Sequence, residues 1–233
     1  SKEQVRGYLG PIELSQLSLK IDQGDWHSVS SLWPDLQEHL ALLPPSRNRF
    51  YHQIHWATSL IRLKQLSQSV DVESLTPVWL TLAQSLKEIS QQAHRIQDSR
   101  AESYALGVLG EVYLATHQWA IAQTLTEQAL QLSTAINADE MSYRWQAQLG
   151  TVLKNLDNPH HSRSKAIETY TQAVETLSGL RGDLNASSEH AQFSFHSDVE
   201  PIYRDLVSLL LDAASDTDHA GTGNIASPES TQQ

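Results

Sequence analysis

The chain contains no cysteine. That removes disulfides, thiolate zinc sites and a cysteine nucleophile from these 233 residues. Basic residues are scarce: 16 Lys and Arg stand against 27 Asp and Glu, a formal net charge of −11. Nucleic-acid binders carry a basic stripe, and none is present, so no nucleic acid is expected as a partner. An acidic chain is repelled by anionic membranes, and no apolar run approaches the roughly 20 residues that span a bilayer. No membrane partner is therefore expected. No signal-peptide pattern is visible, which favours a cytoplasmic setting. The abrupt start at Ser1-Lys2-Glu3 leaves open a signal removed upstream.

Motifs that carry chemistry are also missing. There is no Gly-x-Ser-x-Gly elbow and no glycine-rich phosphate loop after a strand. No nucleophile–base pair can be assembled, so the chain is expected to be no enzyme and to need no cofactor. Eleven histidines invite a metal reading, but a metal site needs further ligands at fixed spacing. His52 and His55 have none, His160-His161 falls in a polar excursion, and His196 reads as a helix-start or packing residue. No metal is expected. Asp139-Glu140 sits at a helix start, where acids complement the helix dipole.

What the chain has is helical periodicity, written twice. Leu109-Gly110 precedes Tyr113, Ala122 and Ala129; Leu149-Gly150 precedes Leu153, Ala166 and Ala173. Glycine inside a helix costs about 1 kcal/mol relative to alanine. A closely packed neighbouring helix is the usual compensation, and the small alanines fit the same crossing. Apolar residues at three-and-four spacing divide the chain into helix pairs over about 11–43, 47–98, 99–135 and 139–180. Gly24-Asp25 and Pro44-Pro45 act as breakers. In the second pair, Phe50, Ile54, Ala57 and Ile61 share one face, and Leu80, Leu82, Leu86 and Ile89 share another towards Ile96. Thr76-Pro77 reads as a helix start. Ser99 and Glu102 have capping-box spacing. The later repeat is four residues longer between its glycine and its first alanine, placed in a longer turn over 155–161. Residues 181–197 read as irregular, with a strand-like approach over 191–196. A capping helix is expected over about 198–211, with Pro201 in its first turn. The polar segment 212–233 reads as a disordered linker.

The first block resembles a tetratricopeptide repeat, a helix–turn–helix of about 34 residues. The fold class this implies is all-α: a right-handed superhelix of tetratricopeptide-type helix pairs over 1–211, closed by the capping helix. Trp26, Trp33 and Trp119 fall where such repeats pack an aromatic between helices, and Trp56, Trp79 and Trp145 read as core in the same way. Three strings are more specific: Ala101–Gly107, Tyr143–Gly150 and above all Gln192–Arg204. They resemble the tetratricopeptide segment that precedes a CHAT domain, a caspase-like protease domain, in bacterial proteins of the cyanobacterial variety. The likeness is strongest over about 95–211. In that family the catalytic His and Cys lie downstream of the repeats, so no catalytic residue carries over. The resemblance implies a regulatory or recognition segment with a CHAT domain as its partner in cis.

Repeat geometry places the working surface on the concave face, lined by the first helix of each pair. Counting from the two glycines, that face is expected to carry Tyr104, Gly107, Glu111 and Leu114, then Arg144, Ala147, Thr151, Lys154 and Asn155. Of these, Tyr104, Glu111, Arg144, Thr151, Lys154 and Asn155 are the candidate contacts for a peptide carrying both charge signs. The Lys/Asn/Arg clamp for a C-terminal carboxylate is not assembled. The capping helix is apolar nearly all round, so Leu206, Leu209 and Leu210 are candidate docking residues for a CHAT domain or a second copy. The competing expectation is a structural module that only self-associates or spaces domains.

Overall fold

The computed structural model describes residues 76–156, 159–184 and 189–222, together with 16, 19, 20, 50, 51, 53–55, 57–59 and 61. Among them every regular element is helical. The full helices are α1 (Thr76–Arg95), α2 (Ser99–Ala115), α3 (Trp119–Ala135), α4 (Asp139–Lys154), α5 (Pro159–Leu184) and α6 (Glu189–Thr222). Each packs on its neighbours in chain order, most closely within the pairs α2/α3 and α4/α5, and α2 also touches α4. The chain is thus an all-α helical-repeat superhelix. The expected pair 11–43 lies outside the described residues except Gln16, Leu19 and Lys20, and there Leu19 is exposed rather than on a core face.

The repeat unit is longer than the 34 residues of the resemblance. Helix starts at Ser99, Trp119 and Asp139 are 20 residues apart, giving 40 per pair. Helices α1, α2 and α3 end the same way. Gln97, His117 and Asn137 adopt left-handed backbone with φ of 56°, 59° and 51°. The amide after each bonds the carbonyl five residues back, as from Asp98 to Ala93, Gln118 to Tyr113 and Ala138 to Ser133, all at 2.9 Å. These bonds satisfy carbonyls orphaned at the helix end and turn the chain in three residues. The capping box expected at Ser99 does not form, and the N-cap lies one residue earlier. Asp98 is the N-cap, its carboxylate accepting from the Ala101 amide at 3.1 Å, while Glu102 reaches back to His94 Nδ1 at 3.1 Å.

The small residues sit at the crossings. Ala122, Ala129, Ala166 and Ala173 are fully buried. A methyl group at Gly110 would meet Gln148 Nε2 and Thr126 Oγ1, each at 2.8 Å; one at Gly150 would meet the Tyr170 ring at 2.7 Å. Phe50, Ile54, Ala57 and Ile61 join Leu82, Leu86 and Ile89 in one continuous core that extends to Trp145. Leu80 and Ile96, expected on that face, are exposed. Trp79 and Trp145 are core as expected, whereas Trp119 is half-buried with its ring edge against His117. Trp26, Trp33 and Trp56 lie outside the described residues.

The four extra residues of the later repeat lie in a helix, not a turn. Ala122 is the fourth residue of α3, but Ala166 is the eighth of α5. Four residues are close to one helical turn, so the insertion preserves the phase of the buried face. His160-His161 is accordingly helical. The expected irregular and strand-like stretch also gives way, because α5 runs to Leu184 and α6 begins at Glu189. The expected bounds 198–211 are exceeded at both ends. Helix formers Glu189-His190-Ala191-Gln192 precede the apolar part, and Asp212-Ala213-Ala214 follow it without a breaker. Pro201 therefore sits inside the helix rather than in its first turn, at the loss of one backbone hydrogen bond. Of the expected linker, 212–222 is helical and 223–233 lies outside the described residues.

Candidate functional site

A 40-residue repeat brings equivalent positions of α2 and α4 side by side. Arg100 pairs with Glu140 at the helix N-terminal ends. One turn on, Arg144 Nη1 donates to the Tyr104 hydroxyl at 2.6 Å, with the guanidinium 5.7 Å from the Tyr104 ring centroid. Tyr104 also meets the Trp145 ring edge to face at 5.8 Å. Trp145 lies directly against Gly107, so a side chain at 107 would collide with the indole. Gly107 was expected to face the groove; it instead makes room for Trp145.

Beneath this surface runs a buried polar network. Trp145 Nε1 donates to Ser103 Oγ at 3.2 Å, and Ser103 donates to the Ala129 carbonyl at 2.7 Å. Gln148 Nε2 donates to the Gly107 carbonyl at 3.0 Å and to Thr126 Oγ1 at 2.8 Å. Thr126 donates in turn to the Ala122 carbonyl at 2.7 Å. The network pins α4 onto both helices of the preceding pair. Buried polar groups that are fully paired rigidify a core in this way.

Above it lies a groove of about 310 Å³. Glu111 and Leu114 of α2 form one side; Tyr143, Arg144, Ala147, Gln148 and Thr151 of α4 run along it; Tyr170 of α5 and Pro201, Ile202 and Asp205 of α6 close the other side. Of the six expected contacts, Glu111, Arg144 and Thr151 line this groove, and Tyr104 stands behind it as the hydrogen-bond acceptor for Arg144. Lys154 and Asn155 do not line it. Both are exposed at the end of α4, and the Asn155 side chain is turned back to the Thr151 carbonyl at 2.8 Å. They lie one turn beyond the groove because α6, not a further turn of α4, completes it.

Seven lining residues escape a reading by repeat position: Tyr143, Trp145, Gln148, Tyr170, Pro201, Ile202 and Asp205. Tyr170 has the position of a packing aromatic, yet its hydroxyl emerges into the groove. It donates to Asp205 Oδ2 at 3.1 Å and lies 2.8 Å from Thr151 Oγ1, tying α4, α5 and α6 together. The sequence signal for Asp205 was a carboxylate bordered by Ile202, Tyr203, Leu206 and Val207.

Burial pushes the Tyr170 phenol well above the ordinary tyrosine value of 10.0; the Thr151 hydrogen bond opposes this, and the Asp205 carboxylate adds to it. The folded chain thus keeps a proton that the unfolded chain releases above pH 10. This contribution to stability is complete below that pH and is lost as the pH rises through the range above it. The urea midpoint should therefore fall from about pH 9 to about pH 11, and fall less for Tyr170→Phe, which has no proton to lose. Parallel decline in the two proteins would refute the buried phenol as a source.

The docking candidates on α6 divide by helix phase. Leu209 is buried against α5 and is a core residue, so it is corrected from the docking set; Leu206 is half-buried in the same cluster. Leu210 remains, and Val207 and Leu211 join it as exposed residues. His55 is exposed, and His52 lies outside the described residues. Among the described residues no three His, Cys, Asp or Glu side chains are grouped to hold a metal, and no helix is long and apolar enough to cross a membrane.

No protein-family model matches the chain, and no curated protein or solved structure matches it either. The fold and the groove define its class: an all-α helical-repeat protein with a mixed-charge groove between successive pairs.

Proposed function

We propose that the chain is a non-enzymatic interaction scaffold whose groove takes an extended peptide carrying both charge signs. The observation that carries this reading is the groove itself. Its α4 side holds one guanidinium, Arg144, while Glu111 and Asp205 hold carboxylates on the flanking helices. Tyr143, half-buried at the groove, supplies amphipathic contact surface among these charges, and such side chains are enriched at binding hot spots. The floor is held rigid by the Gln148 and Trp145 hydrogen bonds, so little ordering cost falls on binding. In the parent protein this scaffold would precede a CHAT domain and regulate it or recognise its targets, as the resemblance of Gln192–Arg204 suggests. The alternative, self-association, draws support from the exposed apolar residues of α6.

The test is selection of short random peptides displayed against the full chain, followed by titration using isothermal calorimetry. Selected peptides should carry both a basic and an acidic residue. Arg144→Glu should weaken them about tenfold or more, equivalent to about 1.4 kcal/mol, with circular dichroism unchanged. Lys154→Glu, off the groove, should do little. If no peptide is retained, or if binding ignores the Arg144 reversal at low salt, the groove is not a peptide site.

A further inference from the structure

The carboxylate on the α6 side of the groove has an open oxygen. Asp205 lines the groove and is half-buried. The Tyr170 hydroxyl donates to its Oδ2 at 3.1 Å. Among the described residues Oδ1 has no hydrogen-bond partner, and the carboxylate has no ion pair. Withdrawing a charge from water is costly unless it is paired, and one neutral hydroxyl offsets little of that cost. Tyr170 Oη is in turn 2.8 Å from Thr151 Oγ1. Oδ2 is thus committed to a chain of hydroxyls that joins three helices, and only Oδ1 remains for a ligand. Pro201 and Ile202 line the groove beside it. They lie four and three residues before Asp205, so the three share one face of α6. An apolar step therefore leads along the helix to the carboxylate.

We infer that Asp205 is the specificity residue of the groove and takes the ammonium of a peptide lysine in preference to an arginine. This rests on the groove being a peptide site, and it names which basic side chain is read and where. A lone carboxylate does not make a metal site, and no group of metal ligands is present among the described residues. An organic cation is the occupant that remains. A guanidinium pairs best when both carboxylate oxygens accept its fork, and Tyr170 already holds one of them. An ammonium is a compact point charge on a flexible stem and needs only the open oxygen. Its stem can lie along Pro201 and Ile202 while the head reaches Asp205, as long charged side chains do on apolar surface. Tyr170 is then a positioning residue: by occupying Oδ2 it sets the choice of lysine. The acidic residue of the peptide falls to Arg144 on α4.

Random displayed peptides selected in parallel on the full wild-type chain, Asp205→Asn and Tyr170→Phe test this. Retained sequences are resynthesised with acetylated N-termini, which removes the other ammonium, and titrated by calorimetry. Wild-type selection should enrich lysine over arginine. Norleucine in place of that lysine should weaken binding about tenfold or more, as for a lost charged hydrogen bond. Arginine in its place should weaken binding severalfold. Asp205→Asn keeps an oxygen for the Tyr170 hydroxyl, so the helices stay joined, yet lysine and norleucine peptides should bind it alike. Tyr170→Phe frees Oδ2 and should narrow or reverse the preference for lysine, which a merely structural tyrosine would not do. The norleucine and arginine comparisons on the wild type decide the matter even where a variant fails to fold. Peptides retained without lysine enrichment, or a lysine preference that persists in Asp205→Asn, overturn the inference and leave the peptide reading intact. A preference unchanged in Tyr170→Phe overturns the role given to Tyr170. Retention of no peptide at all overturns both the inference and the peptide reading.

Discussion

Trp145→Ala should destabilise the chain by about 3–5 kcal/mol, the range for deleting a large buried aromatic. At 2% exposure, Trp145 is among the largest fully buried side chains. Its indole fills the space opened by Gly107, meets the edge of Tyr104 and bonds Ser103, which itself holds α3 through the Ala129 carbonyl. Removing the ring leaves a cavity where α2, α3 and α4 meet. It also leaves one face of Gly107 bare, where no neighbouring side chain can collapse inward without losing another contact. For a protein of this size the melting temperature should fall by roughly 6–20 °C. Trp145→Phe separates the two contributions. It keeps most of the apolar volume and loses the N–H bond, at about 1 kcal/mol for a single hydrogen bond. Thermal melts followed by circular dichroism read both. Should alanine prove no worse than phenylalanine, the ring is not wedged between the pairs, and the 40-residue stacking of α2 on α4 is wrong. Peptide binding should vanish in the alanine variant even well below its melting temperature, because Trp145 also lines the groove.

The parts of this architecture that were legible in the sequence are those fixed by local spacing. Ala122, Ala129, Ala166 and Ala173 had to be small because two helices cross there, and all four have no exposure. Gly110 and Gly150 could be read in the same way. The groove was half legible. Glu111, Arg144 and Thr151 follow from the repeat register, since their position on the first helix of a pair decides which way they face. Tyr170 and Asp205 could not be found so. Their role depends on α6 folding back over α4 and α5, a tertiary placement that no repeat position encodes. Lys154 and Asn155 failed for the complementary reason: the register was right, but the groove ends a turn earlier. On α6 an almost all-round apolar pattern hid the phase, so Leu209 and Leu210 looked equivalent until packing on α5 separated them. The insertion before Ala166 looked like a loop because Asn155-Leu156-Asp157-Asn158-Pro159 is rich in turn formers. Proline at the first helical position is, however, as much a start signal as a break, and α5 begins there.

The same change at two helical glycines should act with opposite sign. Gly179→Ala in α5 is expected to stabilise the chain by about 0.5–1 kcal/mol, because alanine is the better helix former and loses less backbone freedom on folding. Nothing lies within 4 Å of the methyl group it would add. Gly150→Ala gains the same propensity and still should lose overall. Its methyl would press into the Tyr170 ring at 2.7 Å, and that ring cannot swing aside freely. The Tyr170 hydroxyl is held by Asp205 and Thr151, its body is 1% exposed, and Ala173 and Leu177 pack in the same cluster. Overpacking of this kind costs about 1–3 kcal/mol, which exceeds the propensity gain. Gly150→Leu should be worse, lowering the melting temperature by several degrees and pulling Tyr170 away from Asp205. The groove then opens on its α6 side, so peptide affinity should drop along with stability. Gly110→Leu should destabilise without opening the groove on its α6 side, since it displaces Gln148 Nε2 and Thr126 Oγ1 and not Tyr170. Melting temperatures for Gly179→Ala, Gly150→Ala and both leucine variants decide the matter. A Gly150→Ala protein as stable as Gly179→Ala would show that α5 yields at this crossing and that Tyr170 is not fixed by its hydrogen bonds.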